Sequence, residues 1–342
     1  MNILILEGKH DYSPNAVTIY RALGNVRFWE DDLALSVTSD DERKDFLAHT
    51  NVLVVRLRHK IDFLWMDKMP NLKIIATNTT GLNHIDTREA KKRKIKIISL
   101  KGRTGFLKHI PSTAEMTWGL ILALARNIPW AYGTVTGYGN SRGVGSASER
   151  WNRDAFKGNQ LAGKTLGIIG FGRLGKIVAQ YAKAFRMNVL FYDPYKKTAR
   201  SAKKALSLEE LCKRADIISM HASYDQERPE VILQRRHFAL MKEKTPYVVN
   251  TARGELVDEE ALLCALKEGW IKGAALDVMA REDMGGGKHL SGNELYNHAC
   301  VSFEDFEKMG RLIIVPHIGG ATHEAVQITE DFIADIVKKR LQ

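Results

Sequence analysis

The sequence predicts an α/β protein built from two doubly wound parallel sheets. Three observations carry that expectation. Short β-branched runs alternate with helical patterns along the chain, the mark of βαβ units. The alternation forms two series, one before and one after a long apolar stretch that begins near residue 112. The 342 residues suffice for two domains, and 44% hydrophobic with 27% charged residues is ordinary globular composition.

In the first series the strand candidates are 3–6, 51–55 ("NVLVV"), 73–76 and 95–98. A helix over 14–23 has Ser13 as a cap and Pro14 in its first turn. From Ser112, "STAEMTWGLILALAR" is almost wholly apolar after its polar start, so it reads as a helix buried between layers. The second series has strands at 165–169, 188–192, 215–219, 246–250, 273–278 and 312–315. Ser207 and Glu210 in "SLEE" fit a capping box. A helix near 258–268 ends before Gly269, a C-cap, and a last helix covers 322–340. The Gly-rich stretches 133–150 and 283–294 read as loops.

Composition narrows the function classes. No apolar run reaches bilayer length, and "MNILILEG" lacks the regions of a signal peptide, so a cytoplasmic protein without membrane partners is expected. Cys212, Cys264 and Cys300 are far apart, which points to neither a disulfide framework nor a metal site. The net charge of +11 includes the basic runs 88–96 and 195–204. These read mainly as solvated helix faces, with attraction of an anionic ligand as the functional alternative. No zinc finger, RNP-type motif or basic zipper accompanies them, and no nucleic-acid partner is expected.

The stretch "GIIGFGRLGK" carries the chemistry. Gly170, Gly172 and Gly175 follow an apolar strand and open a helix. They would allow a tight turn, close approach of a pyrophosphate, and close helix–strand packing. Arg173 and Leu174 lie within the same turn. Asp193 ends the next strand, 18 positions after Gly175, where an acid reads ribose hydroxyls and repels a 2′-phosphate. NAD is therefore the expected cofactor.

Three further residues lie just past strand ends, where open α/β sheets bind ligands. Arg253 follows 246–250, Glu282 follows 273–278, and His317 follows 312–315. A guanidinium can hold a carboxylate with two hydrogen bonds. An imidazole can exchange a hydroxyl proton near neutral pH, and an adjacent carboxylate orients it. Beside a nicotinamide, the set suits hydride transfer to and from a 2-hydroxy acid. Singly, each residue also has a plain structural explanation: a local pair, a solvated side chain, a buried histidine.

Four motifs in order, "TLGIIGFGRLGKIVAQYAKAFRMNVLFYDPY", "VVNTARGELVDEEAL", "GAALDV" and "IIVPHIGGAT", resemble those of the D-isomer-specific 2-hydroxyacid dehydrogenases. The resemblance covers nearly the whole chain. It implies a Rossmann-type NAD-binding domain (112–317) inserted into a flavodoxin-like substrate domain (1–111 with 318–342), which explains a glycine turn in mid-chain. It implies Arg253 as the substrate-binding arginine and Glu282 with His317 as the acid/base pair. Cofactor contacts would come from Gly170–Gly175, Asp193, Thr251, Ala252, Asp277 and Thr113. Thr80 and Gly81 would bind the substrate carboxylate. Arg56 and Arg58, in "VVRLRHK", resemble a loop bordering the site; they would bind a second anionic group or pair with surface acids. The substrate would be a small 2-hydroxy or 2-keto acid and the assembly a homodimer. Ser223 stands where the family has a proline, two positions after His221. Two alternatives remain: a non-catalytic NAD-sensing protein of the same fold, as some corepressors are, and a formate dehydrogenase, which would pair its histidine with glutamine rather than Glu282.

Overall fold

A computed structural model of the chain describes residues 1–34, 37–136, 153–199, 202–225, 228–280 and 311–342. Within these the chain forms two compact units. One holds Met1–Ile110 with Ala321–Gln342; the other holds the described residues from Pro111 to Gly320.

The first unit is a five-stranded parallel sheet. Its strands are β1 (Asn2–Ile5), β2 (Asn25–Phe28), β3 (Thr50–Val54), β4 (Ile74–Ala76) and β5 (Lys96–Ile98), in the order β2-β1-β3-β4-β5. Successive residues of a strand face opposite ways, so β1 and β3 feed two separate cores. Ile3, Ile5, Val52 and Val54 pack with Val17, Tyr20, Ile333 and Val337. Leu4, Leu53 and Ile75 pack with Phe46, Leu47 and Met66 on the other face. The C-terminal helix His323–Leu341 therefore completes this unit's core despite its distance in sequence. Ser13 caps the helix Pro14–Arg21 by accepting from the Ala16 amide, and Thr322 caps His323–Leu341 by accepting from the Ala325 amide.

The second unit is a seven-stranded parallel sheet. Its strands are β6 (Thr165–Ile169), β7 (Asn188–Tyr192), β8 (Lys203–Lys204), β9 (Ile217–Met220), β10 (Tyr247–Asn250), β11 (Gly273–Leu276) and β12 (Arg311–Ile314). The order β12-β11-β10-β9-β6-β7-β8 reverses direction between β9 and β6. That reversal is a topological switch point, where loops at the strand ends diverge and leave a crevice for a ligand. The apolar helix Ser112–Ala125 is buried as its composition predicts, with Trp118, Ile121 and Leu124 against Val178, Ala182 and Val249.

Some elements depart from the sequence expectation. Two short strands, β2 and β8, carry too few apolar residues to signal themselves. The loop expected over 133–150 begins as helix, because Ile128–Thr136 continues through Gly133; residues 137–150 lie outside the described set, as does 283–294. At the expected capping box, Ser207 accepts from the Glu210 amide, but the Glu210 carboxylate accepts from Leu206 rather than from Ser207.

Candidate active site

The glycine turn leaves β6 at Gly170, whose φ of +88° is natural only for glycine. A Cβ there would lie 2.4 Å from the Ala222 amide nitrogen at the end of β9. A Cβ on Gly175 would lie 2.4 Å from the Gly170 carbonyl oxygen, so this glycine lets the helix Arg173–Ala184 sit against the strand. Gly172 differs: the place of its Cβ is open, with no atom within 4 Å. Gly172 is also that helix's N-cap and offers no side-chain cap. The first-turn amides and the positive end of the helix dipole thus have no side chain competing with a phosphate. Arg173 and Leu174, both half-buried, begin the helix; burial lowers the affinity of the Arg173 guanidinium for its proton.

Asp193 follows β7 and is 8% exposed. One carboxylate oxygen accepts the Phe171 amide at 2.8 Å, inside the glycine turn, and the other accepts the Tyr195 amide at 2.8 Å. The acid therefore braces the turn. Each oxygen keeps a second lone pair with which to accept from a hydroxyl. An open place at Gly172, uncapped amides and a buried anchored acid together fit a dinucleotide diphosphate and its ribose.

The neighbouring strands β10, β11 and β12 carry the other candidates on adjacent loops. After β10, the Asn250 side chain clamps the loop: its Oδ1 accepts the Ala252 amide at 3.0 Å and its Nδ2 donates to the Arg253 carbonyl at 2.8 Å. Thr251 shares a 2.8 Å hydroxyl contact with Thr117, which in turn donates to the Thr113 carbonyl at 2.7 Å. Arg253 donates from its guanidinium to the Ala252 carbonyl at 2.6 Å. A Cβ on Gly254 would overlap the backbone of Met279, so this loop lies directly on the one after β11.

Asp277, at the end of β11, accepts the Ile318 amide at 2.7 Å and the Gly319 amide at 2.9 Å. These are the two residues after His317. His317 itself has φ of +53°, an uncommon backbone for a residue with a side chain. A Cβ on Gly319 would come within 2.5 Å of Asp277 Oδ2 and 3.4 Å of the Thr113 methyl. The histidine loop is therefore held in an unusual conformation by a buried carboxylate. Glu282 lies outside the described residues, so of the expected acid/base pair only His317 is described.

In the first unit, Thr80 is exposed and Gly81 half-buried in the loop after β4. The Thr79 hydroxyl donates to the Gly81 carbonyl at 2.7 Å, while no hydrogen bond among the described residues occupies the Thr80 or Gly81 amide. Arg56 and Arg58 are both paired. Arg56 Nε donates to Glu330 Oε1 at 2.6 Å and stacks over the Tyr12 ring at 5.3 Å. Arg58 reaches Glu30 at 2.6 Å. Glu330 is fully buried, and burial pushes its carboxyl up to about 7.

Sequence reasoning missed the bracing groups. Asn250, Thr117 and Gly254 touch the loops rather than a ligand, and only "VVNTARG" around Asn250 hinted at one of them. His221 follows β9. Its Nε2 pairs with the Ser219 hydroxyl at 2.8 Å, its Nδ1 is buried with no partner among the described residues, and burial pushes the imidazole down to about 4.

These features define a Rossmann-type dinucleotide-binding protein. The family model of the D-isomer specific 2-hydroxyacid dehydrogenase NAD binding domain matches residues 118–319. The chain belongs to that family. It is 35% identical to a D-3-phosphoglycerate dehydrogenase of Methanocaldococcus jannaschii, over 100% of this chain but only 58% of that protein's length. It is 36% identical to a glyoxylate reductase of Thermofilum pendens, covering 81% of this chain and 74% of the relative. The D-lactate dehydrogenase of Aquifex aeolicus, solved with NAD and lactic acid, superposes with a TM-score of 0.72 at 26% identity, over 99% of this chain and 95% of that one. Among the described residues, no helix is long and apolar enough to cross a membrane.

Proposed function

We propose that the protein is an NAD-dependent dehydrogenase interconverting a D-2-hydroxy acid and its 2-keto acid. The observation that carries this reading is the Asp277 clamp, which holds His317 in a left-handed backbone conformation at the same sheet edge as the Arg253 loop, two strands away. Uncommon backbone conformations concentrate at functional sites, where the surrounding structure holds them in place. Relatives named as glyoxylate reductase and D-lactate dehydrogenase support the reaction class.

NAD, when bound, supplies the hydride acceptor or donor. The remaining chemistry falls to the chain. The glycine turn binds the diphosphate through its amides, and Asp193 accepts from the adenosine ribose and disfavours a 2′-phosphate. Thr113, Thr251 and Ala252 line the cofactor's path. Asp277 has both carboxylate oxygens committed to backbone amides, which supports a positioning task besides any contact to the carboxamide. Arg253 binds the substrate's carboxylate and carbonyl. In the reducing direction His317 gives its proton to the carbonyl oxygen, and Glu282 stabilises the protonated ring beforehand.

The ion pair of Arg56 with buried Glu330 favours a substrate with a single carboxylate over one with an added phosphate, whereas the exposed Arg58–Glu30 pair argues neither way. Moving Arg56 to a second anion would leave Glu330 buried and uncompensated, a costly exchange. A dimer belongs to the same reading: Ile128, Tyr132 and Val135 are exposed on one face of Ile128–Thr136. Steady-state turnover of NADH with a panel of 2-keto acids tests the proposal. Reduction of glyoxylate, pyruvate or hydroxypyruvate, with phosphohydroxypyruvate the poorer substrate, is expected. Binding of NADH without reduction of any member would instead favour a sensor.

A further inference from the structure

In the first unit, several arginines are paired with carboxylates. Arg27 pairs with Glu42, Arg58 with Glu30, and Arg93 with Asp67 and Glu89. A hollow of about 440 Å³ between β5 and the C-terminal helix instead gathers several cations in one place. Lys96, Lys101, Arg103 and Arg340 line it, and its lining includes no aspartate or glutamate. None of these cations has a carboxylate within 4.0 Å among the described residues.

The backbone builds this convergence. Leu100–Arg103 is a tight turn closed by the Arg103 amide donating to the Leu100 carbonyl at 3.0 Å. Gly102, with φ of +79°, occupies the position where such a turn needs glycine. Lys101 and Arg103 flank it. The Ser99 hydroxyl oxygen accepts the Lys101 amide at 3.3 Å, which leaves its own O–H free to donate. Arg340 comes from the last turn of His323–Leu341, and Lys96 opens the edge strand. Lysine on an edge strand deters unwanted pairing, and arginine at a helix C-terminus suits the dipole. Those reasons cover Lys96 and Arg340 separately. They do not account for Lys101 and Arg103 facing the same hollow.

Like charges brought together without an acid repel, and an anion placed among them reverses the sign of the interaction. One carboxylate carries too little charge to balance four cations. Linked phosphates spread several charges over a few ångströms and offer acceptors to guanidinium forks, to ammonium groups and to a hydroxyl. We propose that this hollow is a binding site for a small polyphosphate anion, with the tri- or diphosphate of a nucleotide or the inorganic polyanion as the source.

Calorimetric titration of the full chain with inorganic tripolyphosphate, and separately with ATP, tests the site. The reference is a Lys101→Gln, Arg103→Gln, Arg340→Gln variant, with NADH binding followed by fluorescence in both proteins. Saturable 1:1 binding is expected, at least about tenfold weaker in the variant and weakened by salt, with NADH affinity unchanged. Tripolyphosphate and ATP binding alike would identify the phosphates as the ligand; ATP alone would add the nucleoside. Equal affinity in the variant, displacement by saturating NADH, or the same response to sulfate at matched ionic strength would overturn the proposal. So would tighter, variant-sensitive binding of a short DNA duplex, which would make the patch a nucleic-acid surface.

Discussion

At the scale of single residues, the proposed function separates groups that would act on substrate or cofactor from groups that hold others still. His317 belongs to the first kind. His317→Ala is expected to lower turnover by about 10²–10⁴-fold with NADH affinity nearly unchanged, since a positioned acid–base is worth that much. Pre-steady-state and binding measurements together check it; an unaltered rate would remove His317 from the chemistry. Gly319 belongs to the second kind. Gly319→Ala puts a methyl against Asp277 Oδ2, so the histidine loop must shift. A loss of about 10²-fold in kcat is expected, because displacements near 1 Å cost that much. Asp193 serves both purposes. Asp193→Ala should relax the preference for NAD over NADP. It also strips the acceptor from two amides, for a stability loss of about 1–3 kcal/mol for each one left unsatisfied. Thermal melts alongside the two coenzymes' KM values separate those effects.

At the scale of elements, a buried charge cluster joins the C-terminal helix to the first sheet. Glu330 on that helix accepts the Ser13 amide at 2.8 Å and the Arg56 guanidinium, while Glu7 after β1 accepts the Arg56 amide at 2.7 Å. Burial pushes both carboxyls up to about 7, against the partial relief that Arg56 provides. In the unfolded chain both would titrate near 4.5, the ordinary value for glutamate. Between these values the folded form binds more protons than the unfolded one, so stability falls as pH rises through the window. The two share Arg56, so the titration belongs to the cluster rather than to either glutamate. Melting temperature should therefore decline from about pH 5 to pH 7.5, and Glu7→Gln should flatten the decline. A profile that rises over that range, with the variant unchanged, would contradict this description of the joint.

At the scale of the whole molecule, the sheets were legible because their strands are buried on both faces. Runs such as "NVLVV" and "GAALDV" announce themselves without any partner in view. The edge strands β2 and β8 were not legible: half-exposed positions let polar residues in, and pairing with a neighbour defines them instead. The site was legible in the same uneven way. Glycines and a strand-end acid follow from chain geometry, so Gly170 and Asp193 could be named in advance, whereas Asp277 came only with the family resemblance. The Asn250 clamp and the partners of Arg56 could not, since Glu330 lies 274 residues away and meets it only through folding. The central claim is that this fold presents Arg253 and His317 to a 2-keto acid for reduction by NADH. Stopped-flow NADH oxidation with a 2-keto acid panel, run on the native protein, Arg253→Ala and His317→Ala, tests it most directly. The account predicts D-hydroxy acid formation by the native protein, a raised KM for Arg253→Ala and a collapsed hydride-transfer rate for His317→Ala. NADH bound normally by all three with no acid reduced, or turnover indifferent to both substitutions, would contradict it.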